Sequence, residues 1–156
     1  MQTLKVLLTA TALGMSACAT YSTLPPPPYG AVMVQAASKA PLGAYLVDGR
    51  GRALYILEGQ RHEAGMDRCM GECLRVWPPV HSSAPPAAGV QANPAMLATT
   101  PLHGAVHVTY AGWPLYYYHR DSAPGDTTGQ HVTDRWGTWH LLSPAGEPIR
   151  PLGSGY

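Results

Sequence analysis

The chain of 156 residues contains no phenylalanine, only three cysteines and few charges, with charged residues making up 12% of it. Each shortage excludes something. Without Phe, aromatic volume must come from nine Tyr and four Trp, whose polar tips need hydrogen-bond partners once buried. Ten Lys and Arg, scattered against nine Asp and Glu, leave no basic face for nucleic acid or for an anionic membrane surface. The apolar run over residues 6–13 falls well short of the roughly 20 residues that cross a bilayer as a helix. Nucleophile elbows, phosphate loops and zinc-protease helix motifs are missing too. What is abundant is Gly (17) and Pro (16), a turn-rich composition suited to short strands rather than long helices. The length allows one domain.

Residues 1–17 read as an export signal. Lys5 supplies the positive start, residues 6–13 the apolar stretch, and Ser16 and Ala17 the small residues before Cys18. Met15-Ser16-Ala17-Cys18 resembles the lipobox of bacterial lipoproteins, with Met15 where Leu is usual. Cysteine parity points the same way, because lipid on Cys18 leaves Cys69 and Cys73 to each other in an oxidising compartment. The expected location is the bacterial cell envelope, with the membrane as partner through lipid on Cys18. In a Gram-negative host, Ala19 rather than Asp after the cysteine resembles an outer-membrane sorting signal. Residues 18–41 hold Pro25-Pro26-Pro27-Pro28 and read as a semi-rigid spacer. The folded part is expected over 42–150, followed by a flexible tail at 151–156.

Three hairpins are legible in that folded part. Residues 44–47 and 53–57 flank Asp48-Gly49-Arg50-Gly51, a turn sequence of the tight-hairpin kind. The apolar runs on both arms point to burial on two faces. Residues 106–110 and 115–119 flank Ala111-Gly112, with Pro114 limited to an edge or bulge. Residues 139–142 turn through Ser143-Pro144-Ala145-Gly146 and return near Ile149. Between the first two hairpins, residues 79–104 read as connection, broken by one helical turn with Asn93 as cap and Pro94 in first position. The expected fold is all-β: two pseudo-repeats of short antiparallel hairpins, about 42–80 and 104–150. They form a small sandwich or barrel with one or two helical turns, each half too small for a core of its own.

Several stretches resemble a known bacterial family, a secreted repeat of unknown function with a Tyr-x4-Asp motif, found in tandem in predicted lipoproteins. They are Gly51-Arg52-Ala53-Leu54-Tyr55, Cys69-Met70-Gly71-Glu72-Cys73 with Trp77-Pro78-Pro79, residues 108–116, Asp121, Pro124-Gly125-Asp126 and Trp139. The resemblance spans roughly 42–143. Carried over residue by residue, Tyr116 and Asp121 hold the motif in the second copy. In the first copy Tyr55 is present but Gln60 stands where Asp is expected. The resemblance implies an exported module and brings no catalytic mechanism.

The Cys69/Cys73 pair carries the most chemistry. A disulfide between residues four apart needs a kinked turn, because helical Cβ atoms at that spacing lie about 5–6 Å apart. Gly71 permits the kink. The alternative is a redox-active or copper-handling site, with Met66, Met70 and His62 joining the two sulfurs around soft Cu(I). His103 and His107 have ligand spacing only on a helix, and 106–110 reads as strand. His119, His131 and His140 stand singly and read as surface or hydrogen-bonded residues. Asp121 and Asp126 sit in a polar loop without the oxygen-ligand run of an EF-hand, so turn-making is the expected role. The resulting expectation is a non-enzymatic structural or binding module, without cofactor, whose partner beyond the membrane is an unidentified envelope protein.

Overall fold

The computed structural model describes residues 26, 28–61, 68–102 and 104–151. The readings of the signal segment, Cys18, His62, Met66, His103 and the tail beyond Pro151 lie outside those residues. The described residues are all-β, in three small sheets. Its elements are β1 (Met33–Lys39), β2 (Gly43–Asp48), β3 (Tyr55–Leu57), α1 (Cys73–Val76), β4 (Ala87–Ala88), a 3-10 turn (Pro94–Met96), β5 (Leu97–Leu102), β6 (Ala105–Tyr110), β7 (Trp113–Pro114), β8 (Thr133–Asp134) and β9 (Gly137–Leu141). The sheets run β2-β1-β4, β3-β9-β8 and β5-β6-β7, an open sandwich-like arrangement rather than a closed barrel.

Local chemistry sets the turns. Asp48 Oδ1 accepts the backbone N–H groups of Arg50 and Arg52 at 2.8 and 3.0 Å, and Gly51 takes φ +81°. A short acidic side chain thus folds the first hairpin onto itself. In the second hairpin both central residues, Ala111 (φ 50°) and Gly112 (φ 80°), adopt the left-handed geometry of a type I′ turn. Asn93 caps the 3-10 turn as its sequence indicates, its Oδ1 accepting the Ala95 N–H at 3.0 Å.

The two halves share one plan. Leu54 N donates to Leu46 O at 3.0 Å, and Leu115 N donates to Val108 O at 3.0 Å. At the centre, Tyr55 N donates to Tyr116 O (2.8 Å) and Tyr116 N returns to Tyr55 O (2.9 Å). A later segment of each half then crosses to the other half. In one direction β9 pairs with β3, and Leu46 N donates to Leu142 O at 2.8 Å. In the other, Pro79 bridges to Tyr116, and Val108 N donates to Val80 O at 2.8 Å. The repeats are therefore intertwined by reciprocal strand exchange. Burial follows this weave. Along 53–57, odd positions enter a cluster with Trp77, Tyr116 and Trp139, while Leu54 and Ile56 enter one with Val80, Val108, Leu115 and Leu142. These strands are buried on both faces, as their unbroken apolar runs indicate.

Two stretches depart from expectation. Residues 33–39, assigned by sequence to the spacer, form β1, in register with β2 from Val34↔Asp48 to Lys39↔Gly43. Only Val34 of this strand is fully buried, and Gln35, Ser38 and Lys39 blur any alternation. Pairing on both sides holds it instead, with Ala36 N donating to Val90 O and Gly89 N to Val34 O. Likewise, residues 97–102 are strand β5 rather than connection, paired with all of β6. Pro101 is tolerated because β5 lies at the edge of its sheet. Both repeats thus begin one strand earlier than expected, at Met33 and Leu97.

Strand exchange has a direct consequence for dissection. Residues 28–92 and 93–151, made separately, should each lack a cooperative urea transition, while an equimolar mixture recovers one. Circular dichroism melts check this, and a stable isolated half would contradict the exchange.

Candidate functional site

The motif residues meet across the exchange. Tyr55 OH donates to Asp121 Oδ2 at 2.7 Å, and Tyr116 OH donates to Gln60 Oε1 at 3.4 Å. Each tyrosine therefore faces the fifth residue on from the other repeat's tyrosine. Gln60 occupies the position the motif gives to Asp and supplies an acceptor there. Asp121 also does local work, its Oδ1 accepting Thr128 N (3.0 Å) and Thr128 Oγ1 (2.6 Å). The Tyr55 hydroxyl accepts Gly129 N at 3.3 Å. Burial, reinforced by the Asp121 carboxylate, pushes the Tyr55 phenol far above its ordinary pKa. It remains a neutral donor rather than a nucleophile.

Beside this brace stand the indoles. Trp77 stacks on Trp139 with centroids 4.0 Å apart and planes 9° apart, and Tyr118 stacks on Trp77 at 4.3 Å. Asp134 Oδ2 accepts both indole N–H groups, from Trp77 at 2.9 Å and Trp139 at 3.1 Å. Its Oδ1 accepts Trp136 N and Gly137 N. Gly129 admits the stack, since a Cβ there would lie 3.0 Å from the Trp77 ring. Asp134 escapes sequence reasoning because Asp134-Arg135-Trp136-Gly137 reads only as a turn. The turn holds the carboxylate where two distant tryptophans converge.

Cys69 and Cys73 are joined, both fully buried, with Cα atoms 5.1 Å apart. Gly71, at φ +56°, provides the kink, and Trp77 N donates to Cys73 O at 2.7 Å. The bridge anchors the segment that delivers Trp77 to the stack. Met70 is largely exposed. Among the described residues no group of three or more His, Cys, Asp or Glu is placed to hold a metal ion.

Two of the histidines are buried. His107 Nε2 lies 2.6 Å from Leu115 O, and its ring meets the Tyr116 ring edge-on at 4.9 Å. His140 lies between β3 and β8, its Nε2 3.6 Å from Glu58 Oε2. Burial holds the His140 imidazole below its ordinary pKa, against the opposing pull of Glu58. Asp126 is half-buried and caps its own loop. Backbone N–H groups of Ala123 and Ser122 hold its carboxyl below the usual range.

The hairpin at Asp48 carries a second network that sequence reasoning missed. Asp48 Oδ2 accepts Arg52 Nε (2.9 Å), Arg52 Nη2 (2.9 Å) and Tyr117 OH (3.1 Å). The Arg52 guanidinium lies 3.8 Å from the Tyr117 ring centroid. Alternation of charge in Asp48-Gly49-Arg50-Gly51-Arg52 was the available signal; Tyr117, 69 residues away, gave none.

With the geometry in view, residues 98–143 are found to match a family described as a secreted repeat of unknown function. The match starts within β5 and ends just past β9, so it coincides with the second structural repeat. It covers less of the chain than the resemblance over 42–143 implies. No curated protein and no solved structure matches the chain. No described helix is long and apolar enough to cross a membrane.

Replacing Asp134 with Ala would strand two buried indole N–H groups. Each unsatisfied donor costs about 1–3 kcal/mol, so a loss of roughly 2–6 kcal/mol is expected. Urea unfolding of Asp134→Ala, followed by tryptophan fluorescence, measures it; a change under about 1 kcal/mol would remove Asp134 from the brace.

Proposed function

We propose that the chain is a lipid-anchored cell-envelope protein whose folded part is a rigid, non-enzymatic structural or binding module. One observation carries the non-enzymatic reading. All four described aspartates are engaged as internal acceptors: Asp48 in a hairpin, Asp121 on Tyr55, Asp126 in its loop and Asp134 under two indoles. An aspartate acting as general acid or base must be aimed at substrate, and these are aimed at the protein's own N–H and O–H groups. The family match to a secreted repeat supports export. The lipobox-like Met15-Ser16-Ala17-Cys18 and the parity of the cysteines support the anchor. A disulfide also suits an oxidising compartment. The redox or copper reading needs accessible sulfur, and buried, bonded Cys69 and Cys73 speak against it.

Labelling of producing cells with a radioactive fatty acid tests the anchor. The native protein should take up label, begin at Cys18 by mass spectrometry and partition with membranes, while Cys18→Ser does none of these. An intact Met1 and no fatty acid would overturn the proposal.

A further inference from the structure

The two hairpins at equivalent positions differ where the core does not require it. The second, between Thr109 and Pro114, holds only Tyr110, Ala111, Gly112 and Trp113, without charge. Its Trp113 is closed off, with Nε1 donating to Gly146 O and Arg61 over the ring at 5.6 Å. The first, between Val47 and Ala53, is one residue longer and carries Asp48, Arg50 and Arg52. It opens onto a cleft of ≈ 600 Å³ whose walls include Val32, Met33, Pro79 and His81. A smaller cleft of ≈ 220 Å³ shares Arg52 and Tyr117 with it and reaches Asp121.

We infer that the larger cleft is a binding site for a small organic carboxylate with an apolar body. The inference rests on reading the folded part as a binding module, and it names the ligand class. Asp48 and the Tyr117 ring hold the Arg52 guanidinium in one orientation, using Nε and one edge of Nη2. Arg52 lines both clefts, so a planar carboxylate meets a guanidinium that is already ordered. Asp48 balances Arg52. Arg50 is then the unbalanced charge, and its side chain makes no hydrogen bond or ion pair among the described residues. No other carboxylate lines the larger cleft. The apolar body of the ligand lies against Val32, Met33 and Pro79, and the volume falls in the range of small-molecule sites.

The test uses the full-length Cys18→Ser protein and follows arginine Nε–H signals by NMR. N-acetylalanylalanine, glucuronate and inorganic phosphate are titrated separately at matched ionic strength. N-acetylalanylalanine should shift the Arg52 Nε–H signal saturably and bind more tightly than glucuronate, whose hydroxylated ring offers no apolar body. Equal or tighter binding of glucuronate would overturn the ligand class. Arg50→Gln should weaken N-acetylalanylalanine roughly tenfold, as losing a charge-assisted hydrogen bond implies, while Arg50→Lys retains part of the affinity. Thermal melts confirm that both variants stay folded. The assignment is overturned if neither carboxylate saturates, if Arg50→Gln binds unchanged, or if phosphate binds as tightly as the better carboxylate. Fatty-acid labelling at Cys18 is independent of all these outcomes, so failure here is distinguishable from failure of the anchor.

Discussion

Two backbone hydrogen bonds between Tyr55 and Tyr116 join the halves of this protein back to back, and the remaining architecture depends on that junction. A repeat of about fifty residues buries too little apolar surface to stand alone. Here each repeat completes its core with a segment of the other. Once the central strands are paired in this register, each tyrosine ring lies beside the other repeat's acceptor. Asp121 serves Tyr55, and Gln60 serves Tyr116. The same register superposes Trp77 on Trp139, one from each repeat, over the single carboxylate of Asp134.

This arrangement explains why the tyrosine–acceptor spacing does not create a site in either copy. Residues five apart in sequence are partners in the weave, not of each other. Gln for Asp in the first copy is accordingly a change of acceptor at a buried brace. The absence of phenylalanine fits the same logic, since Tyr and Trp supply both core volume and the donors that tie distant segments together. The matched family segment, 98–143, is a unit of sequence but not a unit of packing.

Much of this was legible from residues alone. The Asp48-Gly49 and Ala111-Gly112 turns, the Asn93 cap, the two-face burial of 53–57 and the glycine-kinked cysteine turn all follow from local chemistry. What stayed hidden depends on long-range pairing. β1 and β5 are held by neighbours on their edges or by a full hairpin partner rather than by their own apolar alternation, so Ala, Ser, Thr and Pro there read as spacer. Asp134, the Asp48–Arg52–Tyr117 network and the burial of His107 and His140 need partners contributed by other elements. Periodicity carries no information about them.

The claim that the repeats brace one another can be tested by coupling. In a double-mutant cycle, Tyr55→Phe and Asp121→Asn should be coupled by about 1 kcal/mol or more in urea unfolding, because the hydroxyl and carboxylate share a hydrogen bond. The cycle of Tyr116→Phe with Asp121→Asn, the pair adjacent in sequence, should be additive within about 0.5 kcal/mol. Coupling of Asp121 to Tyr116 instead of Tyr55 would contradict the exchange.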